Sequence, residues 1–434
     1  LVSINLYGMK MTLLFSFVFS YVVANLYAQS SQEQLVYHYN ASKAAYETKE
    51  FDKFLMHLKK ADSISPSHHT ITYNLAAAYA LNHQPEKSAV MLKRAVLMNS
   101  KLFPSEDIDF ESIRTTEAYK EIEYLKLELD KTVEQSTVAY SIDELDLHPE
   151  SIAFNPKNES FLISSVHKGK IMSYRPTSGV YEEWIAAGTD SLWATMGIKV
   201  DAKNNELWVC STATPEMILY DSALEGKTAI HQYDLTTKKL LHRYELSGGH
   251  WFGDLVIHPS GDVYVSDSRA PIIYKIDRKT NRLSVFKDFT NALFNLQGID
   301  FDSKGTTLFI ADYKTGIYRY DLGTQQLDFL THPASMITKG VDGLYFYQDN
   351  LIAIQNGVRP FRVCRFKLNE RLTEIIDYEY LDKGRAELDE PTLGVIVKDE
   401  FYYIANSPWG KYNKEKQLIV DKDFKNIVLK YSLK

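Results

Sequence analysis

Six times between residues 150 and 397 a polar or small residue, often followed by glycine, heads an apolar–x–apolar run. The runs begin at Glu150-Ser151-Ile152, Met196-Gly197-Ile198, Gly253-Asp254-Leu255, Gln297-Gly298-Ile299, Asp342-Gly343-Leu344 and Leu393-Gly394-Val395, the last preceded by Glu390 and Thr392. Brought together, Glu150, Asp254, Asp342 and Glu390 would supply four carboxylates, and Gln297 an amide. Carboxylates so gathered repel one another unless protons or a cation intervene. Hard oxygen donors of this kind suit Ca²⁺ or Mg²⁺ rather than zinc. A carboxylate next to a bound cation can also activate water.

What must gather them is a strand repeat. Each head opens a short strand, a hairpin turn follows, and a second strand returns, as in FLISS, ELWVCS, DVYVSDS, TLFIADY, NLIAIQN and FYYIANS. The turns are clearest at His258-Pro259-Ser260-Gly261-Asp262 and Asp302-Ser303-Lys304-Gly305. Repeats of 40 to 50 residues with three or four strands each are the mark of propeller blades. One such sheet cannot cover both of its faces, so the blades must stack around an axis, with the innermost strands lining a channel. The sixth repeat lacks an outer strand after Asn426–Tyr431, and Thr137–Ile142 is the segment that can supply it and close the ring. The expected fold is mostly β: a six-bladed β-propeller over 131–434, behind a helical region over 29–130.

The helical region carries its own period. Leu58, Lys59 and Ala61 recur 34 residues on as Leu92, Lys93 and Ala95, and Tyr39 recurs as Tyr73. That spacing resembles tetratricopeptide repeats over about two units, closed by a degenerate cap around Asp109–Ile113 and Tyr119. Such a pair can dock a protein partner or serve as a small packing module. Ahead of it, Met9-Lys10-Met11, the apolar run Thr12–Val23 and Leu26-Tyr27-Ala28 read as a signal peptide over 1–28, cut after Ala28. Secretion or a periplasmic location follows, with no integral membrane segment left after cleavage.

The net charge of −7 is spread along the chain without a basic stripe, so nucleic acid is not an expected partner. Cys210 and Cys364 have neither metal-site nor redox spacing and read as buried thiols, a disulfide being the alternative in an oxidising compartment. There is no G-x-S-x-G elbow, phosphate loop, HExxH or dinucleotide fingerprint.

The phrases HPESIAF, GDLVIHPSGDVYVSD, LQGIDFDSKGTTLFIADYKTGIYRYDL and VDGLYF resemble the blades of SMP-30/gluconolactonase/paraoxonase-like propellers, over about residues 145 to 434. The resemblance implies a lactonase or esterase with one divalent metal, usually Ca²⁺, held by a Glu, an Asn and an Asp. By position these fall on Glu150, Gln297 and Asp342, so Gln stands where the family has Asn. Gly253-Asp254 stands where the family has Asn-Asp. The implied reaction is metal-assisted hydrolysis of a small lactone or ester, with Asp254 or Asp342 activating water and His250 carrying a proton. Trp251, Glu390 and Arg359 would meet the substrate, with Trp409 at the rim. Asp267, Asp312 and Asn406, which end second strands, are expected to hold blade turns. The alternative is a non-catalytic propeller that binds a small ligand or a partner.

Overall fold

A computed structural model describes residues 31–434. The leader-like residues 9–28 lie outside them. The described residues divide into two compact units, one running up to Leu92 with Pro104–Lys120, the other joining Lys93–Phe103 to Glu121–Lys434.

The first unit is helical, built on Ser31–Glu47, Phe51–Ile64, His69–Leu81 and the start of Pro85–Met98. Pro85 opens its helix at the position where a missing N–H costs nothing. Asn82 ends the third helix, and its amide donates to the Ala78 and Phe51 carbonyls. Leu58, Ala61, Leu75 and Ala78 form its core. The repeat partners Leu58 and Leu92, and Ala61 and Ala95, are all fully buried, so the sequence period is a packing period.

The second unit is the six-bladed propeller. Its six sheets run in chain order, each from an inner to an outer strand, through Pro149–Asn155, Ala194–Asp201, Phe252–Ile257, Leu296–Phe301, Val341–Tyr347 and Gly394–Val397 as the inner strands. Thr137–Ile142 pairs with Asn426–Ser432 as the outer strand of blade six and closes the ring. Val133–Glu134 adds a fifth strand to blade five.

Second strands are buried on both faces, which is why Ser160–Ser165, Glu206–Thr212 and Thr307–Asp312 are runs of apolar and small residues. Outer strands such as Val180–Ile185 alternate towards solvent. An apolar cluster fills each junction between neighbouring blades. Trp208 is the largest side chain fully enclosed in one of them, and truncating such a residue typically costs about 3–5 kcal/mol. Cys210 and Cys364 lie buried in two of these clusters as free thiols. Burial pushes both thiols up, Cys364 to about 12, so neither is a nucleophile.

Five inner strands share one irregularity. The pairing slips between Pro149 and Ile152, Thr195 and Ile198, Phe252 and Leu255, Leu296 and Ile299, and Val341 and Leu344. Each slip is a β-bulge, and bulges re-aim side chains. The residues in them are the strand heads singled out above. Glycine follows in three of these because neighbouring strands nearly touch: a Cβ on Gly298 would lie 2.5 Å from the Asp342 carbonyl oxygen.

Candidate functional site

The bulges open onto a cavity of about 330 Å³ at one mouth of the channel, lined by Glu150, Met196, Trp251, Gly253, Asp254, Gln297, Asp342, Glu390, Leu393 and Trp409 among others. Glu150, from blade one, is buried. Its Oε2 accepts from Trp409 Nε1 at 2.8 Å and from Ser407 Oγ at 3.3 Å, while Oε1 has no hydrogen bond among the described residues. Burial first, and Asp342 next, hold its carboxyl well above the usual range. Asp342, from blade five, takes a 2.6 Å bond on Oδ2 from the Asn356 amide, which itself accepts from Tyr313 Oη at 2.8 Å. Its Oδ1 is likewise unbonded. Burial pushes Asp342 up to about 7, with Asp254 and Glu390 adding repulsion and Asn356 opposing.

Gln297 is the third member. Its Nε2 donates to Asn295 Oδ1 at 2.9 Å, which turns Oε1 towards Ser268 Oγ, 3.4 Å away. Gly253 leaves room for that hydroxyl: a Cβ there would lie 2.6 Å from Ser268 Oγ. Asp254 is 2% exposed, and neither carboxylate oxygen has a partner of good hydrogen-bond geometry. Burial raises its pKa, and Lys199 is the strongest opposing influence. The Lys199 ammonium lies 3.8 Å from Oδ1 and 4.9 Å from the Tyr345 ring centre. Glu390 sits at φ +64°, and its backbone carbonyl accepts from Ser407 N–H. Burial raises its carboxyl too.

Two residues expected in the site are elsewhere. His250 does not line the cavity. Its Nδ1 is 2.6 Å from Asp267 Oδ2, and its ring packs edge-on against Tyr274. The buried Asp267 carboxylate also takes the N–H groups of Trp251, Arg269 and Ala270, so His250 belongs to a turn staple rather than to the cavity wall. Arg359 is also absent from the lining; its guanidinium donates to the Asn356 and Val358 carbonyls and stacks 3.6 Å from the Phe361 ring centre. Asp312 takes the amides of Phe294, Lys314 and Thr315, and Asn406 bridges to Lys425 and Ile427, both as turn holders.

Other lining residues were not singled out from sequence: Ser268, Arg269, Asn295, Tyr313 and Asn356. Ser268, Tyr313 and Asn356 each stand one residue beyond a second strand, so aligning the repeats at that point would have found them. Asn295 is two before Gln297 and shares its side of the strand.

The donor set fits a hard cation in kind. Glu150 Oε1, Asp342 Oδ1 and Gln297 Oε1 are oxygen donors with little or no protein competition. No three His, Cys, Asp or Glu side chains among the described residues are grouped closely enough to hold an ion by themselves, so an ion here would depend on the Gln297 amide and on water.

No protein-family model matches the chain, and no curated protein matches it significantly. Many solved structures do. The major allergen Mala s 1 of Malassezia sympodialis is 12% identical and covers 67% of this chain and 95% of its own, with a TM-score of 0.51. A PQQ-bound aldose sugar dehydrogenase from Streptomyces coelicolor is 13% identical over 69% of this chain and 98% of its own, at a TM-score of 0.46. A protein assigned as a gluconolactonase is 10% identical over 70% of this chain and 94% of its own, also at 0.46. At such identities likeness speaks for the fold alone. Fold and site together define a six-bladed propeller with an acidic cavity at its channel mouth. No helix among the described residues is long and apolar enough to cross a membrane.

Proposed function

We propose that the chain is a hydrolase of the lactonase or esterase type, acting on a small lactone or ester at the channel mouth with a divalent cation, Ca²⁺ by preference. The observation that carries this reading is the pair of unbonded carboxylate oxygens, Glu150 Oε1 and Asp342 Oδ1, facing one cavity from blades one and five. Glu150, Gln297 and Asp342 would hold the cation. When bound, the cation supplies Lewis-acid polarisation of the substrate carbonyl and charge for the oxyanion. The Trp409 indole and Ser407 fix the Glu150 carboxyl, and the Tyr313–Asn356 chain fixes Asp342. Asp342, or Asp254 in the same cavity, would take the proton from an attacking water. Met196, Leu393 and the two indoles limit the water around the reacting carbonyl. The leader-like residues 9–28 support a setting outside the cytoplasm, and the helical unit is the part suited to a protein partner.

The test is hydrolysis of a panel of aliphatic lactones and phenyl esters, with calcium and with chelator. Wild type is expected to turn over at least one in a calcium-dependent way, and Glu150→Gln and Asp342→Asn to lose about a hundredfold or more. No turnover, together with a melting temperature indifferent to calcium, overturns the reading. That result favours the second one, a ligand-binding propeller. Gly253 supports this alternative, since it leaves no side chain beside Asp254 to help hold a substrate or an ion.

A further inference from the structure

Among the described residues that line the acidic cavity, Arg269 is the only lysine, arginine or histidine. It stands exposed at the rim, 5.5 Å over the Trp251 ring, and its guanidinium has no ion pair or hydrogen bond among the described residues. None of the four carboxylates of the cavity pairs with it, so its two-pronged fork is left for a carboxylate from outside. Its position is not loose. The buried Asp267 carboxylate holds the backbone N–H groups of both Arg269 and Trp251, with His250 on its second oxygen, so the two side chains leave one fixed turn, and the guanidinium lies over the indole. Trp409 faces Trp251 with ring centres 6.5 Å apart, inclined at 45°, and its own N–H is committed to Glu150. The rim is thus an aromatic corner with one free planar cation.

We infer that this cavity selects a substrate with a flat or apolar body and a free anionic group, the body lying on Trp251 and Trp409 and the anion on Arg269. The inference rests on the reading of the cavity as a substrate site and names the class it takes. Arginine suits the task because its planar fork meets a carboxylate through two parallel bonds and stays charged while stacked on an indole. His250 acts through Asp267 as a positioning residue.

Two readouts separate this inference from the hydrolase proposal. The first needs no turnover: calorimetric titration of the full chain with 3-phenylpropionate and with the neutral 3-phenylpropionamide. The carboxylate is expected to bind about tenfold tighter or better, with the preference lost in Arg269→Gln and partly kept in Arg269→Lys. Equal affinities, or a preference unchanged in Arg269→Gln, overturn it. The second compares a γ-lactone bearing a ring carboxylate with the same lactone bearing a carboxamide; the ratio of their KM values is expected to collapse in Arg269→Gln. Anion preference without any turnover would leave this inference standing and sink the hydrolase. Turnover indifferent to substrate charge would do the reverse.

Discussion

Within the acid set of the cavity, Asp254 lies in the field of Lys199, whose ammonium is 3.8 Å away, and so does the nearby Asp300. Glu150, Asp342 and Glu390 have no lysine or arginine within 4.0 Å among the described residues. These carboxylates are buried or half-buried, and loss of water raises them in both groups; Asp300 reaches about 6 and Asp342 about 7. The difference is who supplies the counter-charge. For Asp254 the protein does so itself, through Lys199. Around Glu150 and Asp342 it supplies hydrogen-bond donors, from Trp409, Ser407 and Asn356, and leaves their charge to protons or to something bound, while Arg359 is the chief influence that lowers Glu390. A buried acid without a resident cation is costly, and such groups gather where function needs them.

Breaking the internal pair should have the largest effect on stability. Lys199→Met strands Asp254 and Asp300 and is expected to cost about 3 kcal/mol in urea unfolding, since removing one partner of a buried pair leaves an uncompensated charge. Asp254→Asn on that background should recover part of the loss. A Lys199→Met protein as stable as wild type would mean that Lys199 is not the counter-ion.

Calcium should act through Glu150 and Asp342, not through Lys199. At a hundredfold excess over its Kd it should stabilise wild type by about 2.7 kcal/mol, with the gain absent in Glu150→Gln and kept in Lys199→Met. Placing a side chain at position 253 sharpens the point further. Gly253→Asn brings a Cβ against Ser268 Oγ, at a cost of about 1–2 kcal/mol, and pairing it with Ser268→Gly should relieve most of that.

Acidity acts through Asp342. Asp342 is held at about 7 in the folded chain and titrates near ~3.9 when unfolded. Between those values the native state binds the extra proton. The contribution of this group is therefore fully present at acid pH and is lost as pH rises through about 7. In calcium-free buffer the stability of wild type relative to Asp342→Asn should fall across that window. The smallest effect is expected from Glu150→Gln without calcium, within about 1 kcal/mol, because the amide keeps the Trp409 bond and removes the repulsion from Asp342.

The strand heads were legible because their signals are local. A bulge residue followed by glycine, an apolar–x–apolar run and a hairpin turn recur in the chain whether or not it is folded. Those signals located Glu150, Gln297 and Asp342, and they named Thr137–Ile142 as the closing strand, which the pairing with Asn426–Ser432 bears out. Tyr313 and Asn356 carried a weaker sign, their place one residue beyond a second strand, and Lys199 and Arg269 none that marked them for the channel. They reach the channel only after six sheets are arranged radially, and their roles depend on neighbours one or more blades away.

His250 and Arg359 make the same point in reverse. Each has the chemistry for a site and lies near one in sequence, yet each is taken by a partner within its own blade: Asp267 for His250, nearby carbonyls and Phe361 for Arg359. The sequence by itself determined the blades, their number and which residues stand at the strand heads, because strand periodicity and turn chemistry act over a few residues. Tertiary structure alone decided which charges meet, since ring closure sets the distances between side chains tens to hundreds of residues apart, and electrostatics depends on those distances and on burial.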